Sequence, residues 1–139
     1  MHMSTILTKE QIFAAADLET ITVEVPEWGG AVKLRAMSGT QRDAYENSLM
    51  EKTADGTYKV NTENMRAKLV CYCAIDEAGS VLFTADDLNA LAGKSAAVIE
   101  RLFDAAQKLN GMSKNAVEDA VKNSVSDPQG VSPSGSQAT

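Results

Sequence analysis

Between Ile21 and Leu49 the chain is patterned as two strands, a tight loop and a capped helix, and that order limits what can be built around it. Ile21, Val23 and Val25 alternate with Thr22 and Glu24, while Val32, Leu34 and Ala36 alternate with Lys33 and Arg35. A period of two gathers the apolar side chains of each strand on one face, so both strands are half-buried. With Glu27 to Gly30 as the loop, Val25 faces Val32, Val23 faces Leu34, and Glu24 lies opposite Lys33 on the wet face. Gly29 and Gly30 supply the positive φ a tight loop needs, and Pro26 ends the first strand at no cost to the ladder. Ser38 and Gln41 then form a capping box. The helix it opens reaches Glu51 or Lys52, with Tyr45 and Leu49 inward and Arg42, Asp43 and Glu46 toward solvent.

The remaining punctuation predicts helices around that hairpin. Thr8 and Gln11 make a second capping box ahead of Ile12 and Phe13, giving a short N-terminal helix that lies as a lid on the sheet. Asp55-Gly56 turns the chain, Tyr58 to Val60 is briefly extended, and Asn61 or Thr62 caps a helix carrying Met65, Leu69, Tyr72 and Cys73 as one stripe. Leu69 to Ile75 is apolar nearly all round, which makes this the most buried helix. Glu77-Ala78-Gly79 breaks it, Val81 to Phe83 reads as a strand that widens the sheet, and Thr84 with Asp87 starts another helix closed by Gly93. Ser95 opens a helix whose wide apolar face is Val98, Ile99, Leu102, Phe103, Ala106 and Leu109. After Asn110-Gly111, Ser113 begins a final weak helix with Val117, Ala120 and Val121. The expectation is an α+β domain over residues 1–125, a small antiparallel β-hairpin sheet covered by four to five α-helices. Residues 126–139, rich in Ser, Pro and Gly, are expected to form a disordered C-terminal tail, since they cannot offset the entropy of ordering.

Composition removes several functions. The chain has 139 residues, a formal charge of −6 and 5% aromatic residues, whereas a nucleic-acid binder shows a clustered basic face and stacking aromatics. Lys33, Arg35 and Arg42 read as solubilising charge, so no nucleic acid is expected as a partner. No apolar run approaches the ~20 residues of a membrane span, and no secretory leader is visible. Met1-His2-Met3 reads as an appended remnant ahead of a natural start at Met3, which takes the only histidine out of the natural protein. Cys71 and Cys73 lie two apart in a helical stretch, where they diverge around the axis and cannot share a metal or a bond. Asp86 and Asp87 fall in a first helical turn, where carboxylates satisfy free N–H groups. Phosphate-loop, dinucleotide, zinc-protease and nucleophile-elbow motifs are all missing, so no enzyme, cofactor or metal is expected.

Three stretches carry a family resemblance: Glu24 to Gly30, then Val32 to Met37 followed by Ser38 to Glu46, and later Asp76 to Phe83 followed by Thr84 to Leu88. In order and texture they resemble the tail assembly chaperones of long-tailed, siphovirus-type bacteriophages and prophages. The resemblance implies a non-enzymatic protein of the host cytoplasm, absent from the mature virion. Such a protein shields the tape measure protein while tail tube protein polymerises around it. It also implies a longer frameshifted product, for which the segment 126–139 is the place. The rival reading is a structural head-tail connector or tail terminator subunit, which would persist in the particle. For a chaperone, Trp28 with Pro26, Gly29 and Gly30 is the candidate partner interface, an indole at a loop tip that either anchors a client or folds back on the sheet. An exposed hairpin edge also offers self-association into a ring or filament.

Overall fold

The computed structural model describes residues 4–112, so the segment from Ser113, with the expected last helix and tail, and Met1-His2-Met3 lie outside the described residues. The order is α1 (Lys9–Ala14), β1 (Thr20–Val25), β2 (Gly30–Arg35), α2 (Gly39–Ser48), β3 (Met50–Lys52), β4 (Tyr58–Val60), α3 (Met65–Cys73), β5 (Ala74–Ile75), α4 (Leu88–Ala92) and α5 (Ala96–Leu109). One antiparallel sheet runs β1-β2-β5, and β3 and β4 form a separate hairpin. This is the expected α+β class, with five α-helices among the described residues. None of them is long and apolar enough to cross a membrane.

The β1–β2 hairpin has the expected faces in a different register. Val23 lies opposite Val32, Ile21 opposite Leu34, Thr22 opposite Lys33, and Val25 opposite Gly30. The pairing expected for Val25, Val23 and Glu24 is therefore displaced by two residues. The cause is the turn: Pro26–Trp28 coils into a 3-10 turn closed by Gly29 at φ 78°, and Gly30 is already the first residue of β2. A shift of two keeps every side chain on its face, so Val25 and Leu34 are both fully buried.

Two elements end sooner than periodicity implies. Ser38 caps α2 in the expected box with Gln41, but the helix stops at Ser48 because Met50–Lys52 pairs with Tyr58–Val60. Likewise α3 stops at Cys73, and Ala74–Ile75 becomes the third strand by pairing with Lys33 and Leu34. The sheet is thus widened by Ala74–Ile75. Val81 contributes only a single bridge to Ile75, and Leu82 and Phe83 continue without strand pairing. The cap of α3 is also not the expected one: Asn64, at φ 58°, precedes the helix, and Asn61 instead accepts the N–H of Glu63.

The core is built on α3. Leu69, Val70, Cys73 and Ala74 are fully buried, and they meet Val98, Leu102, Phe103 and Ala106 of α5, Tyr45 of α2 and Leu34 of β2. Asn110, just past α5, closes this arrangement. Its Oδ1 accepts the Met37 N–H at 2.7 Å, and its Nδ2 donates to the Ala106 carbonyl at 2.8 Å and to Cys73 Sγ at 3.4 Å. The N-terminal helix departs most from expectation. Thr8 and Gln11 form the capping box, yet α1 buries no residue and does not lie on the sheet.

Leu102→Ala is expected to destabilise the protein by ~2–5 kcal/mol, the range for a filled core site. Asn110→Ala is expected to cost ~1–3 kcal/mol by leaving the Met37 N–H without an acceptor. Phe13→Ala should stay within ~0.5 kcal/mol of the parent. Urea unfolding midpoints at unchanged slope check all three.

Candidate functional site

The hairpin tip is held down from both sides. Arg101 of α5 donates from Nη1 to Glu27 Oε1 at 2.9 Å and from Nη2 to Glu27 Oε2 at 2.6 Å, with a longer contact from Nη1 to the Glu24 carbonyl at 3.4 Å. This two-pronged donation holds the Glu27 carboxyl down at about 2, well below its ordinary 4.5. The neighbouring Trp28 lies on the α4 side. The indole is partly buried against the core, and Lys94 Nζ stands 6.0 Å from its ring centroid, within cation–π reach. Trp28, Leu82, Phe83, Asp87, Ala90, Leu91 and Lys94 line an open, largely apolar hollow of about 510 Å³.

Of the four residues expected at a partner interface, Trp28 contributes its ring to this hollow, while Pro26, Gly29 and Gly30 are exposed and form the turn beside it. Leu82, 46% exposed, and Ala90 complete the surface. Sequence reasoning points to neither: Leu82 falls in the expected strand Val81 to Phe83, and Ala90 lies inside the expected helix without a role of its own. A second apolar concavity of about 380 Å³ lies between α2, α3 and the segment from Val81 to Leu88. Lys33, Arg35 and Arg42 do not converge into a patch. Arg35 donates to the Gly79 carbonyl at 2.9 Å, and Arg42 pairs with Glu46 on its own helix.

The remaining reactive groups are tied to structural tasks. Burial pushes the Cys71 and Cys73 thiols up to about 11, with the Asp87 charge adding to the effect at Cys71. Such thiols are weak nucleophiles at neutral pH. Asp87 accepts the N–H and hydroxyl of Thr84 and so closes the capping box of the turn before α4. The Asp55 carboxyl is held at about 2 by the hydroxyls of Thr53 and Thr57 in the β3–β4 loop. Among the described residues, no group of three or more His, Cys, Asp or Glu side chains gathers in a metal-binding arrangement.

An apolar, open surface without a convergent polar cluster fits protein recognition, and the comparisons with known proteins agree. The model of the phage tail assembly chaperone family matches residues 7–123. The chain belongs to that family. The structure of the bacteriophage HK97 tail assembly chaperone shares the fold, with a TM-score of 0.52 and 22% identity, over 76% of this chain and 95% of that one. No curated protein sequence matches this chain. The family sets the coarse role as a chaperone of phage tail assembly.

Two measurements check the electrostatics of the chaperone. Because the Glu27 carboxyl has a lower pKa folded than unfolded, its ion pair stabilises the protein fully above about pH 4.5 and is lost as pH falls toward about 2. The difference in melting temperature between the parent and Glu27→Gln is therefore expected to be constant at neutral pH and to shrink steadily across that window. In the native protein at pH 8, alkylation of Cys71 and Cys73 is expected to be slow, at least ~10-fold slower than after denaturation.

Proposed function

We propose that this chaperone binds the tape measure protein of its phage in the host cytoplasm, keeps that long client soluble while tail tube protein polymerises around it, and leaves before the virion is complete. The observation that carries this reading is the apolar hollow at the hairpin tip, taken with membership of the family. A client helix laid across it would present apolar side chains at successive turns, the helix-in-groove mode of recognition. Trp28 is the anchor in this reading: its ring is held between the hairpin and α4, so little rotamer freedom is lost when a partner covers it. Pro26, Gly29 and Gly30 form the adjoining rim, where the missing side chains of the glycines leave open space for a close approach.

Co-expression with the tape measure protein tests this. The client is expected in the soluble fraction, eluting with the chaperone, and mature particles should contain no copy of this chain by mass spectrometry. A client that stays insoluble, or a chain recovered in particles as a fixed component, overturns the proposal and favours a connector. Trp28→Ala, shown by circular dichroism to retain its fold, is expected to bind the client roughly 30-fold more weakly, as for an interface hot spot.

A further inference from the structure

Beyond β5 the sheet ends in an edge that is apolar and uncovered. After Ile75 the chain turns through Asp76 to Ser80 and returns antiparallel, with Val81 bridged to Ile75. The Asp76 N–H donates to the Ser80 carbonyl at 2.9 Å, and the Leu82 N–H to the Ala74 carbonyl at 3.0 Å. In an antiparallel pair, alternate residues turn their backbone groups to opposite sides. Ser80 and Leu82 face β5, so Val81 and Phe83 turn their N–H and C=O groups outward, where none of the described residues bonds to them. Sheets ordinarily blunt such an edge with lysine, proline, a bulge or a covering loop. Here it reads Val81-Leu82-Phe83, with Val81 48% and Leu82 46% exposed.

The edge is also held in place before anything binds. Asp76 Oδ1 accepts the N–H groups of Ala78 and Ser80, both at 2.9 Å, and Arg35 of β2 donates to the Gly79 carbonyl at 2.9 Å. A strand fixed in this way loses little freedom when a partner covers it. Apolar space flanks it on both faces: Val81 lines the concavity between α2 and α3, Leu82 lines the Trp28 hollow, and Phe83 borders both. A strand added here would drop alternate side chains into the two concavities while its backbone completes the ladder. Charge defines the ends of this tract. Lys68 in the first concavity and Lys94 in the second have no carboxylate partner among the described residues, and Asp87 beside Lys94 is engaged by Thr84. On a chain of net charge −6, two such cations favour an acidic partner.

We propose that Val81–Phe83 is a strand-addition edge for an extended segment of the client, apolar at successive positions and flanked by acidic residues, in a contact that rests on the client reading above and continues the Trp28 surface.

The test uses the complex co-expressed with the tape measure protein and reads amide hydrogen exchange residue by residue. The Val81 N–H is expected to exchange freely in the chaperone alone and at least ~100-fold more slowly in the complex. The Leu82 N–H, already bonded to Ala74, is expected to be protected in both. Val81→Pro removes the outward donor and leaves the Leu82 bond to β5, and is expected to bind the client ~10-fold more weakly, whereas Val81→Thr, which keeps the donor, is expected to stay within ~2-fold of the parent. Retained protection of the Leu82 N–H shows that the proline variant keeps its hairpin. A complex that forms and is weakened by Trp28→Ala, yet leaves Val81 exchanging as in the free chain, overturns the edge contact and leaves the client reading standing. Val81→Pro binding as tightly as Val81→Thr does the same. Failure of any complex to form overturns both. Protection of Val81 in the chaperone alone, growing with its concentration, would put a second copy on the edge and overturn the proposal.

Discussion

The burial of α3 is the constraint from which the rest of this fold follows. Its sequence is apolar nearly all round, and such a helix is kept from water only by covering it from several directions. α5 covers one side with Val98, Leu102 and Phe103, α2 adds Tyr45, and the sheet adds Leu34. Tyr45 shows how tight the enclosure is: its ring lies edge-on to Tyr72 at 6.1 Å, and burial raises its hydroxyl to about 12. At the surface edge of the α3–α5 seam, Arg66 lies over the Phe103 ring at 5.5 Å and pairs with Glu100. With one side of α3 committed to each neighbour, the hairpin tip and α4 occupy what is left.

That packing also shapes the hollow proposed as the recognition surface. At the hairpin tip Arg101 of α5 clamps Glu27, and the next residue, Trp28, packs on the α4 side. The concave surface is therefore made by contacts of long sequence separation, 74 residues between Arg101 and Glu27, and no local motif encodes it. Asn110 works in the same way from the other end of α5, tying it to Met37 and Cys73.

Much of this was legible from residue order. Capping boxes at Thr8, Ser38 and Thr84 lie where their side-chain spacing places them, since a cap is a contact across three residues and needs no tertiary help. The core face of α5 and the alternation of the hairpin follow from periodicity for the same reason. Periodicity failed where a residue had two acceptable fates. Met50 and Ala74 continue good helical patterns, yet each leaves the helix because an unpaired strand, β4 or β2, offers its backbone a ladder. The two-residue slip of the hairpin has a similar origin: alternation determines faces, but the 3-10 turn at Pro26 determines how far along them the strands pair.

By itself, then, the sequence determined where most helices begin, which faces are apolar, and the absence of recognisable catalytic motifs, because these depend on neighbours within a turn or a strand. The texture of the hairpin and its following helix was enough to point to the family. Only the tertiary structure decided that Trp28 faces a hollow instead of open solvent, that Leu82 and Ala90 share it, and that α1 stands off the sheet it was expected to cover. Each of those outcomes is a competition for the same limited core surface among segments far apart in the chain. Its winner depends on shape complementarity that no local pattern records.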